Sequence, residues 1–380
     1  MTVTLQGLST VVPPTVLVQE EVRDVFAAQP GLSRLGSRIV STAFRESGIE
    51  TRHTVLEELT RLPREDGEPP VFFDQESGEL LLPGTRARND VYAAHASGLY
   101  VEAGRAALES AGLEADRVTH VITVSCTGFY APGPDFQVAR ELGMRAGVQR
   151  YHLGFMGCYA AMPALRLATQ LCKADPRAVV LVISVELCTL HLRASDDPDT
   201  IVATSLFADG AAGAVVTSCP PVPTARVLEL DRFATRITPE GESDMAWRIG
   251  DHGFEIGLSN AVPSIIGEHV IGAVEPLFAH DRALTAALQA GDSAEAIDHW
   301  AVHPGGRSIL DRVESALRLR EDQLAPPRAV LREYGNMSSA TILFVLQRIL
   351  DSGAADGERI AAMAFGPGLT VESALLTVRG

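Results

Sequence analysis

Two kinds of apolar pattern take turns along this chain. Short β-branched runs such as "THVITVS", "AVVLVISVEL" and "AAGAVVTS" read as strands, and the second is apolar almost throughout, as a strand covered on both faces would be. Between them, apolar residues recur at helical spacing. "NDVYAAHASGLYVEAGRAALESAG" reads as a long helix capped by Asn89 and closed by Gly112, and "CYAAMPALRLATQLC" as a buried helix with Pro163 near its start, where proline is best tolerated. Upstream, "VTLQGLSTVVPP" reads as a strand ending at Pro13, followed by helices from about Leu17 to Ala28 and from about Leu32 to Ser47. The stretch from Thr60 to Arg88 is rich in Pro, Gly and charge and reads as a surface excursion, with "REDGE" (Arg64 to Glu68) as solvated loop.

The cluster "SCPPVPTA" (Ser218 to Ala225) interrupts the pattern, and after it strand–helix alternation restarts. "ARVLELDRFAT" and "HWAVH" read as strands, "AVPSIIGEHVIGAVEPLFA" and "RSILDRVESALRLR" as helices, "NMSSATILFVLQRILDS" as a buried helix, and "RIAAMAF" and "LTVESALLTVR" as closing strands. Alternation of this kind predicts an α/β fold. A weak internal repeat, "GFMGCYAAMPALRLA" against "YGNMSSATILFVLQ", points to a duplicated unit, with halves at residues 1–220 and 221–380.

Composition narrows the class. The chain has 380 residues, 46% of them hydrophobic, which is ordinary for a globular protein with a large core. A formal net charge of −16 argues against non-specific binding to nucleic acid or anionic membrane. No apolar run reaches the length of a membrane span, and the N-terminus has no signal-peptide pattern. The five cysteines (Cys126, Cys158, Cys172, Cys188, Cys219) are scattered and form no metal-ligand spacing, which predicts free thiols, a reducing cytoplasm and no metal site.

Three residues carry candidate chemistry. Cys158 follows two glycines and precedes a helix, so its sulfur is expected at the positive end of a helix dipole, which lowers thiol pKa. His303, in "WAVHPGGRS", ends an apolar strand before a Pro-Gly-Gly turn. Asn336, in "EYGNMSSAT", is an ordinary helix N-cap or a donor to a developing oxyanion. Together they suit one chemistry: a cysteine takes up an acyl group. His and Asn bind the carbonyl of a second thioester and stabilise the enolate left when its malonyl group loses CO₂.

At "GFMGCYAA", "VHPGG" and "YGNMSSAT", with "LFADGAAG" and "FGPGLTVE", the chain closely resembles the type III polyketide synthases, the chalcone synthase-like members of the thiolase superfamily. The likeness runs over nearly the whole chain with the motifs in order. It implies a thiolase-like fold of two duplicated βαβαβ-type halves in an α-β-α-β-α layering, a homodimer, no cofactor and no metal. It further implies acyl-CoA starters and malonyl-CoA as extender.

By this resemblance Cys158 is the nucleophile and His303 and Asn336 the decarboxylation pair. Phe207 is a gatekeeper between CoA tunnel and cavity, and Phe254 a second one. "SCTGFYAPGPDFQ" matches a cavity and dimer-contact loop, with Cys126 as in bacterial members, and Ala131 at the position that reaches into the partner's cavity. Gly305, Gly306 and Ser308 follow the histidine, and Gly366, Pro367 and Gly368 belong to the loop that shapes the cyclisation cavity. The family's basic CoA-phosphate positions fall on Ile39, Thr42 and Glu46, so Arg38, Arg45 and Arg52 are the substitutes, and an acyl carrier protein is an alternative donor. The small Ala131 and Gly257 favour a roomy cavity or a long acyl starter.

Other readings share the Cys, His, Asn order. Papain-like proteases do, but they lack a buried parallel sheet of the "AVVLVISVEL" kind and need no "HPGG" or "FGPG" loop. An initiating β-ketoacyl synthase also uses the three residues, for one condensation without cyclisation. A binding protein with a dead site would not form a thioester.

Overall fold

The computed structural model describes residues 2–60, 69–222 and 225–380. The "REDGE" segment lies outside them. Nine strands form one sheet: β1 (Thr4–Val11), β2 (His120–Ser125), β3 (Gln149–Gly154), β4 (Val179–Leu187), β5 (Asp209–Thr217), β6 (Val227–Ile237), β9 (His299–Val302), β10 (Arg359–Gly366) and β11 (Thr370–Arg379), in the order β9-β10-β11-β6-β1-β5-β4-β2-β3. A separate hairpin pairs β7 (Met245–Gly250) with β8 (Gly253–Leu258). The helices that matter here are α1 (Thr85–Ala111), α2 (Ala161–Ala174), α3 (Val262–Phe278), α4 (Arg307–Leu317) and α5 (Thr341–Asp351).

The two halves of the sheet repeat one pattern. In the first, β1, β5 and β4 pair antiparallel and β4 and β2 parallel; in the second, β6, β11 and β10 pair antiparallel and β10 and β9 parallel. The halves join through a short antiparallel contact, Thr4 opposite Glu229 and Leu5 opposite Leu228.

Strand alternation creates the layers, because successive side chains point to opposite faces. On β4, Val179, Leu181, Ile183, Val185 and Leu187 pack with α1, while Val180 and Val182 pack with α2 and α5. On β10, Ile360, Ala362 and Ala364 face α2 and α5, while Ala361, Met363 and Phe365 face α3 and α4. The result is the thiolase-like α-β-α-β-α stack with α2 and α5 at its centre. Burial of each such Val or Leu side chain contributes about 1.5–3 kcal/mol. Close approach is enforced by glycine: a Cβ at Gly213 on β5 would collide with the Ala103 carbonyl of α1.

Two local expectations change. The segment expected to be helical from Leu17 begins as a strand, Thr15–Val18, paired with Thr51–Thr54, and the helix spans Gln19–Ala27. Its β-branched start favours the pleated partner. Helix α1 starts at Thr85 after an N-cap at Gly84, not at Asn89. The Asn89 side chain instead donates to the Phe129 carbonyl and accepts from the Phe129 N–H, both at 3.0 Å. Gly112 does close the helix, in the left-handed conformation with φ of 64°.

Candidate active site

Three loop ends bring the chemical residues together. Cys158 lies in the turn between β3 and α2, where Gly157 adopts φ of 78° and packs against the Pro367 ring. His303 follows β9, and its N–H donates to the Met363 carbonyl at 2.8 Å. Asn336 is held opposite Phe207: its N–H donates to the Leu206 carbonyl and its carbonyl accepts from the Ala208 N–H, both at 2.9 Å. All three residues line one cavity of about 40 Å³, walled also by Cys126, Phe207, Gly305 and Pro367.

His303 and Asn336 are buried and Cys158 half-buried, and burial decides the charge states. Burial pushes the Cys158 thiol up to about 11, against opposing hydrogen bonds from Ser338 and Asn336. The helix following it begins only at Ala161, so desolvation outweighs the lowering expected from the helix dipole. Burial pushes His303 down to about 3, which leaves a neutral imidazole at physiological pH. Neither ring nitrogen of His303 has a hydrogen-bond partner among the described residues. A buried polar group left unpaired costs about 1–3 kcal/mol, so two such atoms on a cavity-lining side chain mark a place for a ligand. Asn336 is oriented by its neighbours: its Nδ2 donates to the Gly305 carbonyl at 3.2 Å and its Oδ1 accepts from the Ser338 N–H at 2.9 Å. The Asn336 side chain also hydrogen-bonds to the Cys158 thiol and opposes the effect of burial on it. Asn336 is therefore no N-cap; α5 begins five residues later.

The other expected residues divide. Cys126, Phe207, Gly305 and Pro367 line the cavity. Gly306 and Gly366 are buried behind it, where a Cβ would meet Leu206 and Tyr159, and Gly368 shapes the turn with φ of 118°. Ser308 and Ala131 face outward. Phe254 stands back from the cavity, stacked on His191 at 4.3 Å; Ile256, two positions along β8, takes the wall beside Phe207 and Cys158. The period of two in a strand explains the offset, since both residues point to the same face at different depths. Gly257 does not line the cavity, and Trp247 narrows it, so the space is tight and not roomy.

Of the arginines, Arg38 and Arg45 are exposed. Arg52 cannot reach a phosphate in solvent: it is fully buried, and its Nη1 donates to the carbonyls of Thr204 at 2.8 Å and Phe207 at 2.7 Å. Arg307, which the motif reading passed over, ion-pairs with Glu46 at 2.6 Å at the start of α4.

Three more residues complete the site. Trp247 walls the cavity and donates its indole N–H to the Cys126 carbonyl at 2.7 Å. Ser338, in the left-handed region with φ of 48°, sits 3.4 Å from the Cys126 sulfur. Beneath them the fully buried Glu186 accepts from the Cys126 N–H at 3.0 Å, from Thr127 Oγ1 at 2.9 Å and from Ser339 Oγ, and burial raises its carboxyl. A lone carboxylate ending the apolar run "AVVLVISVEL" was the available signal for Glu186. Among the described residues, Glu240, Glu268 and His269 could converge on a cation, but they lie outside this cavity.

A thiol, a neutral imidazole and an oriented amide in one cavity, on a duplicated α-β-α-β-α stack, define a thiolase-like condensing enzyme. Comparison with known proteins gives the family. The chalcone and stilbene synthase N-terminal domain matches residues 2–220 and the C-terminal domain residues 229–379. The chain is 32% identical to bisdemethoxycurcumin synthase of Oryza sativa subsp. japonica, over 97% of this chain and 91% of that protein. It is 30% identical over 97% of its length to "Probable polyketide synthase 1" of Dictyostelium discoideum, of which it spans 11%. Among solved structures, the C-terminal type III polyketide synthase domain of Steely1 from Dictyostelium superposes with a TM-score of 0.87 at 28% identity, covering 99% of both chains. PKS-I of the brown alga Ectocarpus siliculosus gives 0.88 at 28%, covering 99% of this chain and 98% of that one. The chain belongs to the type III polyketide synthases of the chalcone and stilbene synthase family. Among the described residues no helix is long and apolar enough to cross a membrane.

Proposed function

We propose that the protein loads an acyl group from acyl-CoA onto Cys158 and extends it with malonyl-CoA by decarboxylative Claisen condensation, ending in a pyrone or phenolic product. Cys158 Sγ attacks the starter thioester, CoA leaves as the thiol, and the new bond is an acyl-cysteine thioester. His303 is the base that lines the cavity, and a thiolate–imidazolium pair formed there gains attraction from the low dielectric. In extension, neutral His303 donates one N–H and Asn336 the amide N–H not held by the Gly305 carbonyl to the malonyl thioester oxygen. Loss of CO₂ leaves an enolate held by those donors, and its carbon attacks the acyl-cysteine carbonyl, releasing Sγ. A neutral donor is suited to this step, because it stabilises the enolate without protonating it.

The observation that carries this reading is the pair of unpartnered His303 nitrogens in the cavity that Cys158 and Asn336 share. We further propose a cytoplasmic homodimer with two thiolase-like halves at residues 1–220 and 221–380, needing neither metal nor cofactor. The phosphates of CoA would lie by Arg45 and Arg307, with Arg38 along the same helix.

The test is intact-protein mass after exposure to a panel of acyl-CoA thioesters, on wild type and Cys158→Ala, followed by malonyl-CoA with product masses. An adduct on wild type only, released after several two-carbon extensions, is expected. Extension that stops after one unit, which so tight a cavity would suit, would favour a single-condensation synthase. No adduct from any donor overturns the reading.

A further inference from the structure

A second, smaller cavity of about 20 Å³ adjoins the first. The two share Cys188, Phe207, Trp247 and Ile256, so these four side chains form the partition. The far side differs in chemistry from the near side. The first cavity offers cysteines, a neutral imidazole and an amide; the second is lined by Arg193 with the hydroxyl residues Thr200 and Thr204. Arg193 is only loosely engaged, with a 3.5 Å contact to the half-exposed Glu255, so it can exchange that partner for another acceptor. His191 is the inert wall of this chamber. Its Nε2 hydrogen-bonds the Thr127 carbonyl at 2.8 Å, its Nδ1 accepts from the Phe254 N–H at 3.0 Å, and burial keeps it neutral.

Within the partition, Trp247 is the movable member. Phe207 is fixed through its backbone, by Arg52 on its carbonyl and by the bridge to Asn336. Trp247 rises from the two-stranded β7–β8 hairpin, is half-buried, and has one polar tether, the Cys126 carbonyl. Its ring meets His191 and Phe254 edge-on, at 86° to each. Edge contacts of that kind, about 0.5–1.5 kcal/mol each, hold a ring in place without locking it.

We infer that the second chamber is a subsite for the far end of the acyl group carried on Cys158, reached past Trp247. The class it selects is an acyl-CoA whose distal end bears an acceptor oxygen, a carboxylate or hydroxyl, read by Arg193. This rests on the function proposed above.

The test compares acyl-CoA thioesters of equal chain length ending in carboxylate, hydroxyl or methyl. It reads the single-turnover rate of Cys158 acylation by intact mass. A charge-assisted hydrogen bond contributes about 1.5–3 kcal/mol, so wild type should load the carboxylate-ended chain at least about tenfold faster than the methyl-ended one. The hydroxyl-ended chain should fall between them. Arg193→Leu should erase the preference and leave the methyl-ended rate within about threefold. Glu255→Gln, which frees Arg193, should enlarge it, and Trp247→Ala should speed all chains long enough to cross the partition. Equal wild-type rates for the three ends, or a preference that survives Arg193→Leu, overturns the subsite while leaving the function standing. If no thioester acylates wild-type Cys158, the function falls and the subsite with it.

Discussion

Phe207 and Asn336 lie side by side in a parallel bridge that ties the first half of the chain to the second. The bridge is made by two 2.9 Å hydrogen bonds, Asn336 N–H to the Leu206 carbonyl and Ala208 N–H to the Asn336 carbonyl. The proposed gate residue and the proposed enolate-binding residue, 129 positions apart in sequence, thus share one piece of backbone. Arg52 secures the same place from below, through the Thr204 and Phe207 carbonyls.

That arrangement makes Arg52 a positioning residue. Arg52→Met strands two buried carbonyls and leaves Asp209 without its nearby cation. We expect a stability loss of about 3 kcal/mol by urea unfolding, together with slower acylation of Cys158. Unchanged stability would show that the buried guanidinium contributes little net.

In the proposed mechanism Asn336 acts only in the extension step, whereas His303 serves both loading and extension. Asn336→Ala should therefore still give the Cys158 acyl adduct while condensation falls by about 10²–10³-fold, and His303→Gln should slow adduct formation as well. Radiolabelled CO₂ release from malonyl-CoA separates the steps. A variant that decarboxylates at the wild-type rate would remove that residue from the enolate site.

Glu46 stands between Arg45 and Arg307 and pairs with both, so the two arginines form an exposed cluster with one excess positive charge. Such exposed pairs are weak and exchange readily for phosphate. Arg307→Ala should raise KM for acyl-CoA about threefold to tenfold and leave the N-acetylcysteamine thioester, which has no phosphates, unchanged. An equal effect on both would place Arg307 away from CoA.

Asp209 sets a pH dependence. Its buried carboxyl is raised from 3.8 to about 6 despite hydrogen bonds from Thr189 and Val55. The folded state therefore binds a proton that the unfolded state releases between about pH 4 and 6. Stability from this group is present at low pH and is lost as pH rises through about 6. Between pH 5 and 7 wild type should lose about 1 kcal/mol more than Asp209→Asn, read from paired urea curves. Parallel curves at the two pH values would show that Asp209 titrates as an ordinary aspartate.

The apolar pattern alone carried the α/β class, the restart after Ser218 and the fully covered strand Val179–Leu187, because burial on both faces leaves a continuous β-branched run. The motifs located Cys158, His303 and Asn336, since each stands at the end of a regular element, beside glycines or just after one, and sequence marks such ends well. What lay between elements was harder. Phe254 and Ile256 are alike in sequence, and only their depth in the hairpin separates wall from backing. Arg52 reads as a free cation in "ETRH", yet it is wrapped completely by the two halves. The helix dipole argued for a reactive thiolate, and burial, which no local sequence reports, reversed the direction. The sequence by itself thus determined which residues are chemically able. Tertiary structure decided which of them face one another, how dry their cavity is and that Trp247 divides it, because desolvation and contact arise from chain segments hundreds of residues apart.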